Sequence, residues 1–268
     1  MRSTMGLDCN FVEQCVEAAR SLRWAYQDEK PPFSLKRLLK HFGVADVRLR
    51  LLDRDARLIL SDQRILIEVN SLSPVARRRL SMAHEIAHII LNEVAGRDRY
   101  AVSHSDPSEE ALCNLLGAHL LCPDWAILDY LKQDGSPVER QNIVRCRTIL
   151  SAADYFGVSV TVMARRMLLD LDLAPTKVAT IWRYRDGALR VSSAWTAPRE
   201  QRVIPLDKNA PLTSVLLKAY ESEGVHCGTE QLTFGWLKGA FAVEAEGFRS
   251  SPTAGIMTRA VLALLTPS

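Results

Sequence analysis

The segment Arg79-Leu-Ser-Met-Ala-His-Glu-Ile-Ala-His-Ile-Ile-Leu91 constrains this chain more than any other. It runs without proline or glycine and predicts a helix over Arg77 to Leu91. At about 3.6 residues per turn, positions four apart lie one above the other, so His84 and His88 share one stripe. Two imidazoles so placed can bind one zinc ion with ring nitrogens at about 2.0–2.1 Å. Glu85 is rotated by about 100° from His84 and can reach a water at the metal without being a ligand, where a general base belongs. Leu80, Ala83, Ala87 and Ile90 form an apolar stripe beside the histidines, as a buried helix needs. Taken singly, either histidine reads as an ordinary core residue. The pair with a glutamate between, on an unbroken apolar helix, favours metal.

A catalytic zinc takes three protein ligands and leaves one position for water. The next helix, Pro107 to Leu121, is expected to supply the third. Asp106-Pro107-Ser108-Glu109 reads as an N-cap, a proline at the first helical position and an acidic residue that closes the cap. That assigns Glu109 a local duty and leaves Glu110 to project from the helix as the expected ligand, with Glu109 the alternative. Glu110, Asn114, Gly117 and Leu121 share one stripe, and Gly117 with Ala118 permits close approach to the first helix.

The rest of the chain sets limits on partners and compartment. With 47% hydrophobic and 24% charged residues the composition is that of a globular protein, and a net charge of +3 is too mild to imply a nucleic-acid or membrane partner. No run approaches the about 20 apolar residues of a membrane span. The opening residues lead into an amphipathic segment with Glu13, Glu17 and Arg20 rather than an apolar signal core. Six scattered cysteines form no Cys-x-x-Cys, which fits free thiols in a reducing compartment, and a cytoplasmic location is expected.

Before the histidine helix, Phe11–Tyr26 reads as an amphipathic helix, and Ser34 caps a short helix that Gly43 stops. Three short strands follow at Val47–Leu52, Arg57–Leu60 and Ile65–Val69. Val47, Leu49 and Leu51 alternate with Arg48 and Arg50, as expected of a half-buried antiparallel strand. Two further helices are predicted at 141–156 and about 161–171. Ser151 to Met167 has the rhythm of a helix–turn–helix with Gly157 at the turn. Arg165 and Arg166 are its only basic pair, so DNA is a weak expectation and packing on the preceding domain the preferred one. Past Pro175 the pattern turns to hairpin strands, Val178–Tyr184 and Ala188–Trp195 around Asp186-Gly187, then a helix at about 212–222. Strands at Gln231–Phe234 and Ala240–Ala245 and a last helix at 254–265 complete the expectation. Trp182, Trp195 and Trp236 read as core.

His84-Glu-Ile-Ala-His-Ile-Ile-Leu91, followed by Glu110-x-x-Cys113-Asn114-x-x-x-Ala118-x-x-Leu121-x-Pro123, resembles the ImmA/IrrE family of metallopeptidases. That family's second motif is usually written E-x-x-A-N-x-F-A-x-x-L-L-x-P. This chain keeps Glu110, Asn114, Leu120, Leu121 and Pro123, and carries Cys113, Leu116 and Gly117 where the pattern has Ala, Phe and Ala. The likeness covers roughly Ile65–Pro123 closely and extends less specifically to Leu173. It implies a zinc-dependent endopeptidase that makes a limited cut in a DNA-binding repressor and so releases stress-response or mobile-element genes. It also implies that Ile65–Val69, through Ile65, Ile67 and Val69, is an edge strand that pairs with an extended substrate. Tyr100, His104 and Arg165 are candidates to polarise the scissile carbonyl.

The expected fold is α+β. Residues 1–139 form a mainly helical, zincin-like metallopeptidase domain with a small antiparallel sheet, and 140–175 a helix–turn–helix-like segment. A small α/β domain, GAF-like by the family's habit, occupies 176–268. A second expectation, from a different class, is a DNA-binding or sensory regulator whose metal site is structural or vestigial.

Overall fold

A computed structural model describes residues 7–61, 64–98, 106–133, 144–174, 178–196, 215–234, 237–253 and 256–267. The chain divides into two compact units. The first comprises Met1–Asp124 with Tyr155–Val158, the second Trp125–Asp154 with Ser159–Ser268. Among the described residues no single helix is long and apolar enough to cross a membrane.

Among the described residues, the first unit is built on four helices and a three-stranded sheet. Helix α1 (Cys9–Trp24) is capped by Asp8, whose side chain accepts from Asn10 N, and buries Val12, Cys15, Val16 and Ala19. In α2 (Lys36–His41) the Ser34 hydroxyl accepts from Lys36 N at 3.1 Å, and Gly43 ends it at φ +70°, where a side chain would be strained. The strands are β1 (Val44–Arg50), β2 (Ala56–Ser61) and β3 (Arg64–Asn70). Helix α3 (Val75–Val94) carries both histidines, and α4 (Pro107–Leu121) packs on it.

Two expectations for this sheet are corrected. The order is β1-β3-β2, so Ile65–Val69 lies in the centre and is not an edge. Ile65, Ile67 and Val69 are buried, Ile67 opposite Leu58 on one side and Val47 on the other. The sheet is also mixed, because β1 runs parallel to β3 while β2 is antiparallel to it. The cause is the loop after β1, which crosses the end of β3 instead of turning back. Asn70 Nδ2 donates to Leu52 O at 2.9 Å, Asn70 N to Asp55 O and Ser71 N to Arg50 O, both at 2.8 Å. Those bonds satisfy the carbonyls of Arg50, Leu52 and Asp55 and tie the segment between β1 and β2 to the end of β3. Ala56, Ile67 and Val69 then pack with Leu39 of α2 and Met82 of α3.

The second unit contains a helical part and a five-stranded sheet. Nearly all of helix α5 (Asp124–Gln133) and most of α6 (Cys146–Phe156) belong to it, while the last residues of α6 and Gly157, at φ +61°, count with the first unit. Ser159 caps α7 (Val160–Arg165), its hydroxyl accepting from Val162 N. A wider π-helical turn, Arg166–Asp170, follows. The helix–turn–helix rhythm is therefore present, but Arg166 is fully buried and its Nη1 meets Asp170 Oδ2 at 3.0 Å, so it is a packing residue and not a phosphate contact.

The sheet holds β4 (Val178–Arg185), β5 (Ala188–Thr196), β6 (Val225–Phe234), β7 (Leu237–Thr253) and β8 (Ile256–Pro267) in the order β5-β4-β8-β7-β6. Every described pairing is antiparallel, and the hairpin expected around Asp186-Gly187 is formed by β4 and β5. The predicted last helix at 254–265 is strand β8. Its run of Ala, Val and Leu lacks polar alternation because it pairs with β4 on one side and β7 on the other and is buried from Ala260 to Leu265. Helix α8 (Val215–Glu221) packs Leu216 and Ala219 into a core with Trp182, Phe241 and Val243. Glu244 of β7 accepts from Cys146 N at 2.8 Å and Glu246 meets Arg147 at 2.7 Å, which ties the start of α6 to this sheet. Trp236 lies outside the described residues.

Candidate metal centre

Helix α3 begins after Pro74, whose missing N–H costs nothing at a helix start, and buries Ala83, Glu85, Ile86, Ala87, His88, Ile89, Ile90 and Leu91. Helix α4 starts where Asp106 accepts from Ser108 N at 2.8 Å with Pro107 at the first position. Asp106 thus does the capping. Glu109 has another duty: its Oε1 pairs with Arg97 Nη2 at 2.9 Å. Glu110 in the same turn faces the histidines.

Three ligand-type residues converge. His84 Nε2 lies 3.1 Å from Glu110 Oε2, His88 Nε2 lies 3.3 Å from Glu110 Oε1, and the two Nε2 atoms are 3.2 Å apart. A tetrahedral ion with bonds of about 2.0–2.1 Å needs ligand atoms about 3.3–3.4 Å apart. Each histidine nitrogen stands close to this spacing from one Glu110 oxygen and from the other histidine, and two imidazoles with one carboxylate is a donor set zinc accepts. Among the described residues, these three are the group that could hold a metal ion. The His88 side chain is 2% exposed and the Glu110 side chain 29%, so the group opens to solvent on the Glu110 side. Glu85, also on α3, is buried at 2%.

Two neighbours on α4 meet the far sides of the imidazoles. Asn114 Nδ2 donates to Glu110 O at 2.9 Å, which turns Oδ1 toward His84 Nδ1 at 3.1 Å. An amide oxygen only accepts, so this contact calls for the proton on His84 Nδ1, the arrangement that leaves Nε2 free to ligate a metal when one is bound. Cys113 Sγ lies 3.3 Å from His88 Nδ1. Burial pushes the Cys113 thiol far above its ordinary value, with the carboxylates of Glu110, Glu109 and Glu85 adding to the effect. The helices meet closely at Gly117, where a β-carbon would stand 3.1 Å from His84 N and 3.3 Å from Ala83 C.

Residues 39–168 match the family model described as the IrrE N-terminal-like domain, a family of peptidases. This domain belongs to the ImmA/IrrE family. The match spans the sheet, α3 and α4, and runs through α6 and α7. Among solved structures, a Mycobacterium tuberculosis transcriptional regulator is similar in fold, with a TM-score of 0.58 at 13% identity over 94% of this chain and 76% of that one. No protein of curated function matches the chain.

The ImmA/IrrE domain thus brings together three of the residues singled out in the sequence, His84, His88 and Glu110, with Glu85 beside them in α3. It does not bring Ile65, Ile67 or Val69 to a sheet edge. Tyr100 and His104 lie outside the described residues, and Arg165 is on α7 in the second unit. The sequence did not assign Cys113 or Asn114 to the backs of the rings. The signal for Asn114 was its place four residues after Glu110, on the same helical stripe.

Proposed function

We propose that this chain is a zinc-dependent endopeptidase that makes a limited cut in a protein, a DNA-binding repressor being the expected substrate, in the cytoplasm. The observation that carries the proposal is the convergence of His84, His88 and Glu110 at zinc spacing on two adjoining helices, with a buried glutamate one residue after the first histidine. Held there, zinc would supply Lewis-acid activation of water and of the scissile carbonyl. Glu85 takes the proton of the attacking water and returns it to the leaving amine. Asn114 keeps His84 in the tautomer that offers Nε2. With β3 enclosed, substrate pairing passes to the outer strand β2, whose Ala56 shares a core with Met82 of α3.

The test is Glu85→Gln, which keeps the shape and removes the base. Cells producing the wild type should show a small set of new protein N-termini that is absent from the variant, while the variant retains its metal and melting temperature. Identical sets of N-termini in the two would overturn the peptidase proposal.

A second proposal, a DNA-binding or sensory regulator with a structural metal, is favoured by the likeness in fold to a transcriptional regulator over nearly the whole chain. Against it stand Glu85, for which a structural metal has no use, and the burial of Arg166.

A further inference from the structure

We infer that Cys113 is a positioning residue for His88, its sulfur taking the Nδ1 side of the ring so that Nε2 is aimed at Glu110 and His84. The inference rests on the proposed metal site. Its carrier is the chain of contacts Cys113 Sγ to His88 Nδ1 at 3.3 Å, then His88 Nε2 to Glu110 Oε1 at 3.3 Å and to His84 Nε2 at 3.2 Å. Nδ1 and Nε2 sit on different flanks of a rigid ring, so a partner at one fixes the direction of the other. Cys113 is fully buried and His88 is 2% exposed, which leaves water little access to compete for Nδ1.

The two histidines are held by partners of different kinds. Asn114 Oδ1 only accepts and holds His84 in one tautomer. A thiol is a weak donor and a weak acceptor. Cys113 can accept from Nδ1–H when His88 offers the Nε2 lone pair to a metal, and can donate S–H to Nδ1 when Nε2–H points at Glu110. Its partner role therefore survives both arrangements, and a thiol this deeply buried is placed for packing against a ring and not for reaction with solutes. The adjacent positions 113 and 114 give α4 control of both rings in addition to the carboxylate at 110.

The experiment compares the full-length wild type with Cys113→Ala and Cys113→Ser in two measurements. Long-range proton–nitrogen NMR of the metal-free proteins reads the tautomer of each ring, and competition against a chromophoric chelator reads zinc affinity. In Cys113→Ala the His88 nitrogen signals should move while those of His84 stay. Zinc affinity should fall about tenfold, the low end for an outer partner because sulfur accepts weakly. Cys113→Ser, which restores a donor and acceptor but not the volume, should recover most of both. Unchanged His88 signals, or alanine and serine variants that behave alike, would overturn the inference in favour of plain packing. Failure of the wild type to bind zinc would overturn the metal proposal instead, and the His88 signals of the metal-free proteins would still decide the role of Cys113.

Discussion

Asn114 Oδ1 stands 3.1 Å from His84 Nδ1 because the other end of the same amide is committed to Glu110 O, one turn back on α4. The residue that orients one ligand is thus anchored on the backbone of another. Asn114→Ala should lower zinc affinity about 10–100-fold with little change in melting temperature. Asn114→Asp, which keeps an acceptor, should lose less. Chelator competition checks both, and equal affinities for wild type and alanine variant would mean that His84 needs no orienting partner.

Gly117 gives α4 its approach to α3 at His84 itself. A methyl group there would press on the backbone at His84 N and Ala83 C, neither of which is the free end of a side chain. Gly117→Ala should therefore cost about 1–3 kcal/mol of stability, although alanine is the better helix former by about 1 kcal/mol. It should also weaken zinc binding by moving His84. Thermal unfolding with and without zinc measures the two effects, and a more stable variant would show that the contact yields.

Which of these features the sequence disclosed follows from the range of the interactions. The grouping of His84, His88 and Glu110 was legible because helix periodicity and the Asp106-Pro107 cap are set by neighbours in the chain. The position of β3 was not, since strand order here depends on Asn70 and Ser71 bonding a loop about twenty residues earlier. Strand β8 was misread because a central strand and a buried helix both present an unbroken apolar run. Cys113 lay on a helix buried on most sides, from Leu112 through Leu121, where no periodicity says which face meets the histidine.

Cys15 offers a test by pH. The thiol is fully buried, and burial pushes it up to about 11 from an ordinary 9.0, Arg97 opposing and Glu109 adding to the shift. The folded state binds this proton more tightly than the unfolded chain does. The associated stability is intact below pH 9.0 and is lost as pH rises toward about 11. Its upper bound is roughly 3 kcal/mol. Denaturant unfolding between pH 8 and 11 should show a shallower loss in Cys15→Ala than in the wild type, and parallel curves would contradict the assignment.

The central claim is that His84, His88 and Glu110 hold one metal ion. It is tested most directly by metal content, measured by mass spectrometry on protein purified without chelator or metal-affinity resin, beside Glu110→Ala. About one zinc per chain in the wild type and a small fraction of that in the variant is the predicted result. A wild type that takes up no zinc even when zinc is added back would contradict it and leave the histidine pair a structural feature of α3.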